Sequence, residues 1–327
     1  MNGVKTCLVL GASASAPYKL PTGAKLRDLL ILDQSEPAKA TVAEFLPILP
    51  DEPTYSVMNP MERWQESTHK YLLGAHLAKE DLEHFRKCLF LARSSSVDRF
   101  IQHNEPQWGP LGRRLLAHAL LNCEKEEWLD KDWYQDLFDI IAPTPESLVD
   151  GMLSVITFNY DRSFERFFRT AFQYQFGLAE CPALELYRRI KIEHVYGDLG
   201  TLDDVPYGAV RAFGRAAGGI KLVRTGEDYA NGKRLEEMIK EANNVAFIGF
   251  SFADENFALF KDLDFRGKNV FLTTYNLSPT KVAQIRRAWP WLTQGSLYDG
   301  TARSLLHNRD IFAAPPAPTT VQAVSAS

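Results

Sequence analysis

The sequence predicts an α/β fold in which a Rossmann-like parallel sheet carries a large helical insertion. Five short segments rich in β-branched and aromatic residues have the character of buried strands, and amphipathic helical patterns lie between several of them. A long stretch of helical periodicity separates the first strand from the second. The predicted strands are Thr6–Leu10, Leu153–Phe158, Ile190–Val195, Val245–Phe250 and Asn269–Tyr275.

Two predicted helices lie between strands. Arg162–Phe176 follows the second strand, and Gly232–Ala242 precedes the fourth, with Asn231 as its N-terminal cap. Strands that alternate with helices favour a parallel sheet covered on both faces.

The helical insertion is predicted over residues 31–149, as four to six helices beside a sheet domain formed by residues 1–30 and 150–312. Residues 143–147, PTPES, form its predicted exit loop. The insertion holds four of the six tryptophans and is longer than a strand crossover requires, so we expect it to serve as an interface or a lid. Residues 313–327 are small, Pro-rich and uncharged, which predicts a disordered tail.

Composition argues against several classes of protein. Lys plus Arg is 37 and Asp plus Glu is 41 in 327 residues, and this net charge of −4 argues against a protein that mainly binds nucleic acid. No apolar run approaches the roughly 18 residues of a membrane span. The N-terminal apolar segment is better interpreted as a strand entering a glycine turn than as a signal peptide. We therefore expect a soluble, cytoplasmic protein without membrane association.

The cysteines lie far apart, and no C-x-x-C pair occurs. This spacing argues against a zinc ribbon and against a disulfide framework, and it favours buried, reduced thiols. The four are Cys7, Cys88, Cys123 and Cys181.

Small residues follow the first strand and precede a helix. Backbone amides in such a loop, together with the helix N-terminus, suit a phosphate. The alternative is that the small residues only permit a tight turn. The candidate ligand-binding residues are Gly11, Ala12, Ser13 and Ser15 in the loop, and Thr22 before the helix.

Asn159 and Asp161 follow the second strand in the segment VITFNYD. An amide and a carboxylate cost free energy when they are buried without partners, so a buried strand that stops on them predicts a polar crevice at the strand end. The alternative is a cap on the following helix, where Ser163 and Glu165 occur.

His194 lies on the third strand and is followed by Gly197 in IEHVYGDLG. A histidine at this position is a candidate general base that reaches into the crevice. The alternative is a core or edge histidine with satisfied hydrogen bonds. The other six histidines lie in the helical insertion or near the tail.

Polar residues also follow the last two predicted strands. Gly249 and Ser251 end the fourth strand, and Asn276 follows the fifth. These groups are candidates to hold a ribose or a phosphate, and a helix cap is the alternative reading of each. Because the carboxyl ends of parallel strands meet at one edge of a sheet, the clusters together predict a ligand crevice there.

In order and spacing, these clusters resemble the sirtuin family, and specifically the sirtuin-like NADase domains of bacterial anti-phage defence proteins. The resemblance covers about residues 1–30 and 150–300. The family's glycine-rich loop is similar to the loop that starts at Gly11, with Ser13 in place of its middle glycine. Its asparagine-x-aspartate motif is similar to the Asn159 and Asp161 pair.

Three further family motifs have counterparts. The histidine-glycine motif looks like His194 and Gly197, with two intervening residues where the motif has none. The glycine-x-serine motif is similar to Gly249 and Ser251, and a later asparagine at the adenosine ribose is similar to Asn276.

The resemblance implies hydrolysis of the bond between nicotinamide and ribose in NAD+, which is the substrate, without a metal. It implies that Asn159 orients the water and the ribose, that His194 acts as a general base, and that Asp161 binds near the carboxamide. The glycine-rich loop and the later Gly-x-Ser and Asn residues would bind the rest of the dinucleotide.

The resemblance also implies NAD+ depletion in anti-phage defence. An inhibited state would be released by assembly into a homo-oligomer or by a partner such as a DNA-translocating ATPase. Deacylating sirtuins carry a four-cysteine zinc module that this chain lacks, which disfavours a protein deacylase or ADP-ribosyltransferase. A module that senses NAD or ADP-ribose without turnover is the main alternative.

Overall fold

The fold is built around a six-stranded parallel sheet. A computed structural model describes residues 4–31, 79–94, 96–130, 132–222 and 232–314. All strand pairings in the sheet are parallel, and the spatial order of the strands is β3-β2-β1-β4-β5-β6. The strands are β1 Thr6–Leu10, β2 Leu153–Thr157, β3 Lys191–His194, β4 Asn244–Ile248, β5 Asn269–Thr273 and β6 Leu297–Tyr298.

The order of the strands confirms the predicted α/β, Rossmann-like class. The chain starts in the middle of the sheet, adds β2 and β3 on one side, and then returns to add β4, β5 and β6 on the other. This is the order of dinucleotide-binding folds, and the reversal creates a switch point between β1 and β4. Every residue of β1, β2 and β4 is buried, as expected for strands covered on both faces.

All five predicted strands are present, but four of them end one or two residues earlier than predicted. Phe158 and Phe250 lie just beyond β2 and β4, and their rings contact each other edge to face with centroids 5.0 Å apart. Aromatic residues are common in strands, but these two rings pack against each other beyond the strand ends. The two-residue β6 was not predicted.

Twelve α-helices lie in the described ranges, and most flank the sheet. Those before β2 are α1 Gly23–Ile31, α2 Lys79–Ala92, α3 Val97–His103, α4 Glu105–Cys123 and α5 Trp133–Ile141. Those after β2 are α6 Ser163–Gln175, α7 Glu180–Tyr187, α8 Phe213–Ala216, α9 Gly232–Glu241, α10 Asp254–Ala258, α11 Pro279–Ala288 and α12 Ala302–Asn308.

Between β1 and β2 the described residues form helices and no strand. These helices share one hydrophobic core with the sheet. The α5 helix is anchored to the loop after β1, because Trp133 Nε1 donates a hydrogen bond to Ala14 O at 2.8 Å and the rings of Tyr18 and Tyr134 stack at 3.9 Å. The region predicted as an insertion therefore packs against the end of β1.

Some predicted features lie partly or wholly outside the described residues. These are Asn231, residues 32–78 of the insertion and residues 315–327 of the tail. The predicted exit loop at 143–147 lies between α5 and β2 in turns. None of the four cysteines forms a disulfide bond, and Cys7 and Cys123 are buried. Across the described ranges, none of the helices combines the length and the apolarity that crossing a bilayer demands.

Candidate active site at the carboxyl ends of the strands

The parallel register brings the predicted residues to one edge of the sheet. Leu10 at the end of β1 is aligned with Thr157 on β2 and with Ile248 on β4, and Thr157 is aligned with His194 on β3. The residues that follow these positions therefore emerge side by side, next to the switch point between β1 and β4.

Two glycines allow the loops after β1 and β4 to touch. Gly11 N donates to Ile248 O at 3.0 Å, and Ser13 N donates to Gly249 O at 3.2 Å. A Cβ on Gly11 would lie 2.5 Å from Gly249 O, and Gly249 has a φ of +60° with a Cβ position only 2.2 Å from Ala14 N. Close packing of two backbones is thus sufficient reason for both glycines. Ala12 and Ser13 are exposed at the surface of the loop.

Asn159 is buried at the end of β2 and is held by several hydrogen bonds. Its Nδ2 donates to Ser15 Oγ at 2.9 Å and to Gly11 O at 3.2 Å, and its backbone N donates to Thr157 Oγ1 at 3.1 Å. Its Oδ1 is buried and makes no hydrogen bond to the protein. An unpaired buried carbonyl oxygen is costly in a core and is suited to a site that receives a donor from a ligand or water.

Asp161, not Asn159, is the side chain that accepts a hydrogen bond from the first backbone amide of α6. Asp161 Oδ1 accepts from Ser163 N at 3.1 Å, from Ser15 Oγ at 3.3 Å and from Ser163 Oγ at short range. Tyr134 extends the network, with its hydroxyl 2.9 Å from Ser163 Oγ. Burial raises the pKa of the Asp161 carboxyl, and the hydrogen bonds from Ser163 partly offset that rise. The alternative interpretation, a cap on the following helix, therefore fits Asp161 and not Asn159.

His194 has an acceptor beside each ring nitrogen. Nδ1 lies 2.8 Å from Asn159 O, and Nε2 lies 2.5 Å from Glu165 Oε1 on α6. Burial lowers the pKa of His194, but the charge and hydrogen bond of Glu165, together with Asp198 and the Asn159 backbone, outweigh burial and raise that pKa to about 9. This pKa favours an imidazolium near neutral pH, in which both N–H groups donate. A general base needs a nitrogen that accepts, so this arrangement does not match the base role expected for His194.

A small cavity lies under this cluster, between the sheet and α6. Its volume of about 10 Å³ is room for one water molecule. Polar residues of β2, α5, α6 and the loops after β1 and β2 line it together with apolar side chains of the strands. The lining residues are Leu10, Ser15, Tyr134, Val155, Thr157, Asn159, Asp161, Phe164, Glu165 and Ile192.

The remaining predicted residues lie on other loops. Thr22 immediately precedes α1, and its carbonyl accepts from Leu26 N at 2.8 Å. Ser251 is exposed beyond β4. Asn276 is exposed beyond β5, with a φ of +62° in the left-handed region. The structure thus brings Gly11, Ser15, Asn159, Asp161 and His194 together, while Thr22, Ser251 and Asn276 lie around that cluster on separate segments.

A buried ion pair positions the loop that carries Asn159 and Asp161. Arg162 pairs with Glu124 at the end of α4 through Nη2 to Oε2 at 2.5 Å and Nε to Oε1 at 3.1 Å. Glu124 also accepts from the backbone N of Arg162 and of Gly208, each at 3.1 Å. Both side chains are almost fully buried. Sequence reasoning missed this pair because its members are 38 residues apart.

Helix α3 of the predicted insertion crosses the strand ends. Asp98 accepts a hydrogen bond of 2.5 Å from the Tyr160 hydroxyl beyond β2, and Arg99 forms an ion pair of 2.9 Å with Glu255 on α10, beyond β4. One helix therefore contacts both sides of the switch point.

No cluster of three or more potential metal ligands occurs in the parts of the chain that the structure describes. No protein-family model matches the sequence, and a search of curated proteins finds no significant match.

Proposed function

We propose that the protein is an NAD+ hydrolase that cleaves the nicotinamide–ribose bond and releases ADP-ribose and nicotinamide. The observation that carries this proposal is the buried Asn159, which lines a small cavity at the carboxyl edge of a dinucleotide-type sheet and whose Oδ1 has no protein partner. A carbonyl oxygen in this position is suited to accept a hydrogen bond from the attacking water or from a ribose hydroxyl.

The chemistry fits a site that has hydrogen-bonding and anionic groups but no obvious acid. In NAD+ the leaving nicotinamide is a cationic pyridinium, so the electrons of the glycosidic bond neutralise its nitrogen as it departs. Water then bonds to the ribose carbon and releases one proton. Such a reaction requires stabilisation of a positively charged ribose and correct placement of water. The carboxyl groups of Asp161 and Glu165 line the same cavity as Asn159.

NAD+ is an extended molecule, and the predicted binding residues are spread along the edge of the sheet over a comparable distance. Strands lie about 4.8 Å apart, so the ends of β2 and β5 are separated by about 14 Å across β1 and β4. We propose that nicotinamide and its ribose lie near Asn159, that the pyrophosphate lies against the exposed Ala12, Ser13 and Ser251, and that the adenosine extends toward Asn276. Thr22 lies at the start of α1, where a helix N-terminus favours an anion.

The biological setting that we propose is NAD+ depletion in anti-phage defence. Unregulated depletion would kill the host, so the protein would be held inactive until it assembles or meets a partner such as a DNA-translocating ATPase. The contacts of α3 with Tyr160 and Glu255 support a version of this idea in which the insertion helices control access to the strand ends.

A second candidate is a module that binds NAD or ADP-ribose without turnover. The specific observation in its favour is that both nitrogens of His194 face acceptors, so this histidine is not available as a base. A protein deacylase has no comparable support, since the sequence has no C-x-x-C pair for the zinc module of that class.

The experiment that tests the proposal is chromatography of NAD+ incubated with the purified chain, alone and with the product of a neighbouring gene. Appearance of equal amounts of ADP-ribose and nicotinamide supports hydrolysis. Calorimetric binding of NAD+ without products supports the binding module. Neither binding nor products under both conditions would overturn the proposal.

A further inference from the structure

We propose that Glu165 is a positioning residue, which holds His194 as a doubly donating imidazolium and through it fixes the peptide of Asn159. This inference rests on the proposed function for its catalytic consequence, and it changes the role of His194 from a base to a donor. No part of the sequence pattern assigns Glu165 a role beyond the start of a helix.

The two neighbours of the His194 ring restrict where its protons can lie. His194 Nδ1 is 2.8 Å from a backbone carbonyl oxygen, which only accepts, and Nε2 is 2.5 Å from a carboxylate oxygen of Glu165. A neutral imidazole has a single N–H, whereas an imidazolium has two. Only the charged ring therefore satisfies both neighbours while Glu165 stays ionised. The two side chains are 8% and 12% exposed, so water does not replace either hydrogen bond.

The charges around the ring favour the imidazolium. Burial opposes it by lowering the pKa of His194, and Glu165 followed by Asp198 more than compensates, giving a pKa of about 9. Glu193 on β3 also couples to the ring, and Asp161 lies near Glu165. Each cationic group near the His194 ring interacts with a carboxylate. The charged or titratable groups on the surrounding elements are Asp161, Glu165, Arg169, Tyr187, Glu193, Asp198, Lys221 and Arg234.

The hydrogen bond from His194 completes the restraint of Asn159. The backbone oxygen of Asn159 accepts from the ring, its backbone nitrogen donates to Thr157, and its Nδ2 donates to Ser15 and Gly11. Only Oδ1 remains unengaged by the protein. The carboxamide is thus held in one orientation, with Oδ1 as its single unused acceptor. Glu165 acts on Asn159 indirectly, through the His194 ring and the Asn159 peptide, and does not need to contact the substrate.

The direct test is nuclear magnetic resonance of the imidazole nitrogens in the full chain, labelled with ¹⁵N-histidine. His194→Gln identifies which of the seven histidine signals belongs to His194. We expect both nitrogens to be protonated at pH 7.5 in the wild type, with a titration midpoint near 9. In Glu165→Gln, the midpoint should fall by at least about one pH unit, because an opposite charge in contact typically shifts a pKa by 1–3 units.

Two results would overturn the inference. One is a neutral His194 at pH 7.5 in the wild type, which would mean that Glu165 carries the shared proton. The other is an unchanged midpoint in a folded Glu165→Gln variant. If that variant does not fold, the wild-type spectrum alone decides the protonation state, and Glu165→Ala, which also removes the charge, replaces it for the shift.

The catalytic consequence has a separate readout. Glu165→Gln should lower kcat on the order of tenfold to a hundredfold with little change in the dissociation constant for NAD+, since it disturbs placement and not binding. The matched control is Glu180→Gln, an exposed glutamate that pairs with Arg169 at 3.0 Å and should keep full activity. An equal kcat in Glu165→Gln and wild type would refute the positioning role. Absence of turnover in the wild type would refute the hydrolase, while the nitrogen spectra would still decide the state of the pair.

Discussion

Asn159 and Ser15 are joined by a hydrogen bond of 2.9 Å from Nδ2 to Oγ, across 144 positions of the sequence. Ser15 in turn donates to Asp161 at 3.3 Å, so the loop after β1 and the loop after β2 share one buried polar network. The two segments were separate candidates in the sequence. The hydrogen bonds between the two segments give the candidate site a fixed geometry, because each group restrains the next.

The buried pair of Glu124 and Arg162 should dominate the stability of this loop. Glu124→Gln leaves the Arg162 guanidinium without a balancing charge, at side-chain exposures of 0% and 2%, and should lower the free energy of unfolding by about 3–5 kcal/mol. Urea unfolding measures the change. Arg266→Ala breaks a fully exposed pair with Asp264 and should leave the unfolding curve unchanged. Equal effects of the two substitutions would show that Glu124 is not acting as a buried partner.

Stability should depend on pH through His194. Its pKa is about 9 in the folded chain and about 6.5 when unfolded, so the folded state holds the proton more tightly. The stabilisation is complete below pH 6.5, where both states are protonated, and is lost as pH rises from 6.5 through 9. The full effect is about 3 kcal/mol. Unfolding by urea at pH 6 and pH 9.5 measures it, with Glu165→Gln as the control. A drop of the same size in Glu165→Gln would contradict the assignment.

The glycine that lets β4 approach the β1 loop should not tolerate a side chain. Gly249→Ala places a Cβ within 2.2 Å of Ala14 N on a backbone with φ of +60°, so we expect a loss of about 1–3 kcal/mol or more from strain and displacement. Thermal unfolding measures it. Gly23→Ala is the matched control, since no atom lies within 4 Å of its Cβ position. Similar melting temperatures for both variants would contradict the close packing.

The contact of α3 with α10 should control ligand exchange more than stability. Arg99 is 49% exposed and Glu255 20% exposed, so their ion pair contributes about 0–1 kcal/mol to folding. If α3 covers the crevice, Arg99→Ala should speed dissociation of NAD+ severalfold, measured by stopped-flow fluorescence. Arg303→Ala breaks a comparable pair with Asp136 and serves as the control. Unaltered dissociation in Arg99→Ala would count against a lid.

The strands and the edge at which their polar residues meet could be predicted from sequence. Strands such as Thr6–Leu10 are fully buried and β-branched or apolar, which gives a clear local signal. The strand ends were harder to predict than the strands themselves, because Phe158 and Phe250 have strand-like character but pack against each other beyond the strands. β6 has only two residues and carries no periodic signal.

The contacts that define the candidate site could not be predicted in the same way. Glu165 and His194 are 29 residues apart, and their pairing depends on how α6 packs over β3. A lone histidine at a strand end suggests a base, whereas a neighbouring carboxylate turns the same ring into a donor. That difference arises from tertiary packing, which no short pattern encodes.

The central claim is that Asn159 acts on the reacting ribose and water of NAD+. Asn159→Ala should lower kcat by on the order of a hundredfold or more and leave the dissociation constant for NAD+ nearly unchanged, because binding depends on other loops. Ser278→Ala is the control, since Ser278 caps α11 by accepting from Lys281 N at 3.2 Å; it should cost about 1 kcal/mol and no activity.

The decisive measurement is therefore the rate of NAD+ cleavage per folded molecule in Asn159→Ala, taken together with its melting temperature and its affinity for NAD+. We expect a folded variant that binds NAD+ and hardly cleaves it. A variant that melts earlier but cleaves NAD+ at the wild-type rate per folded molecule would contradict the catalytic assignment.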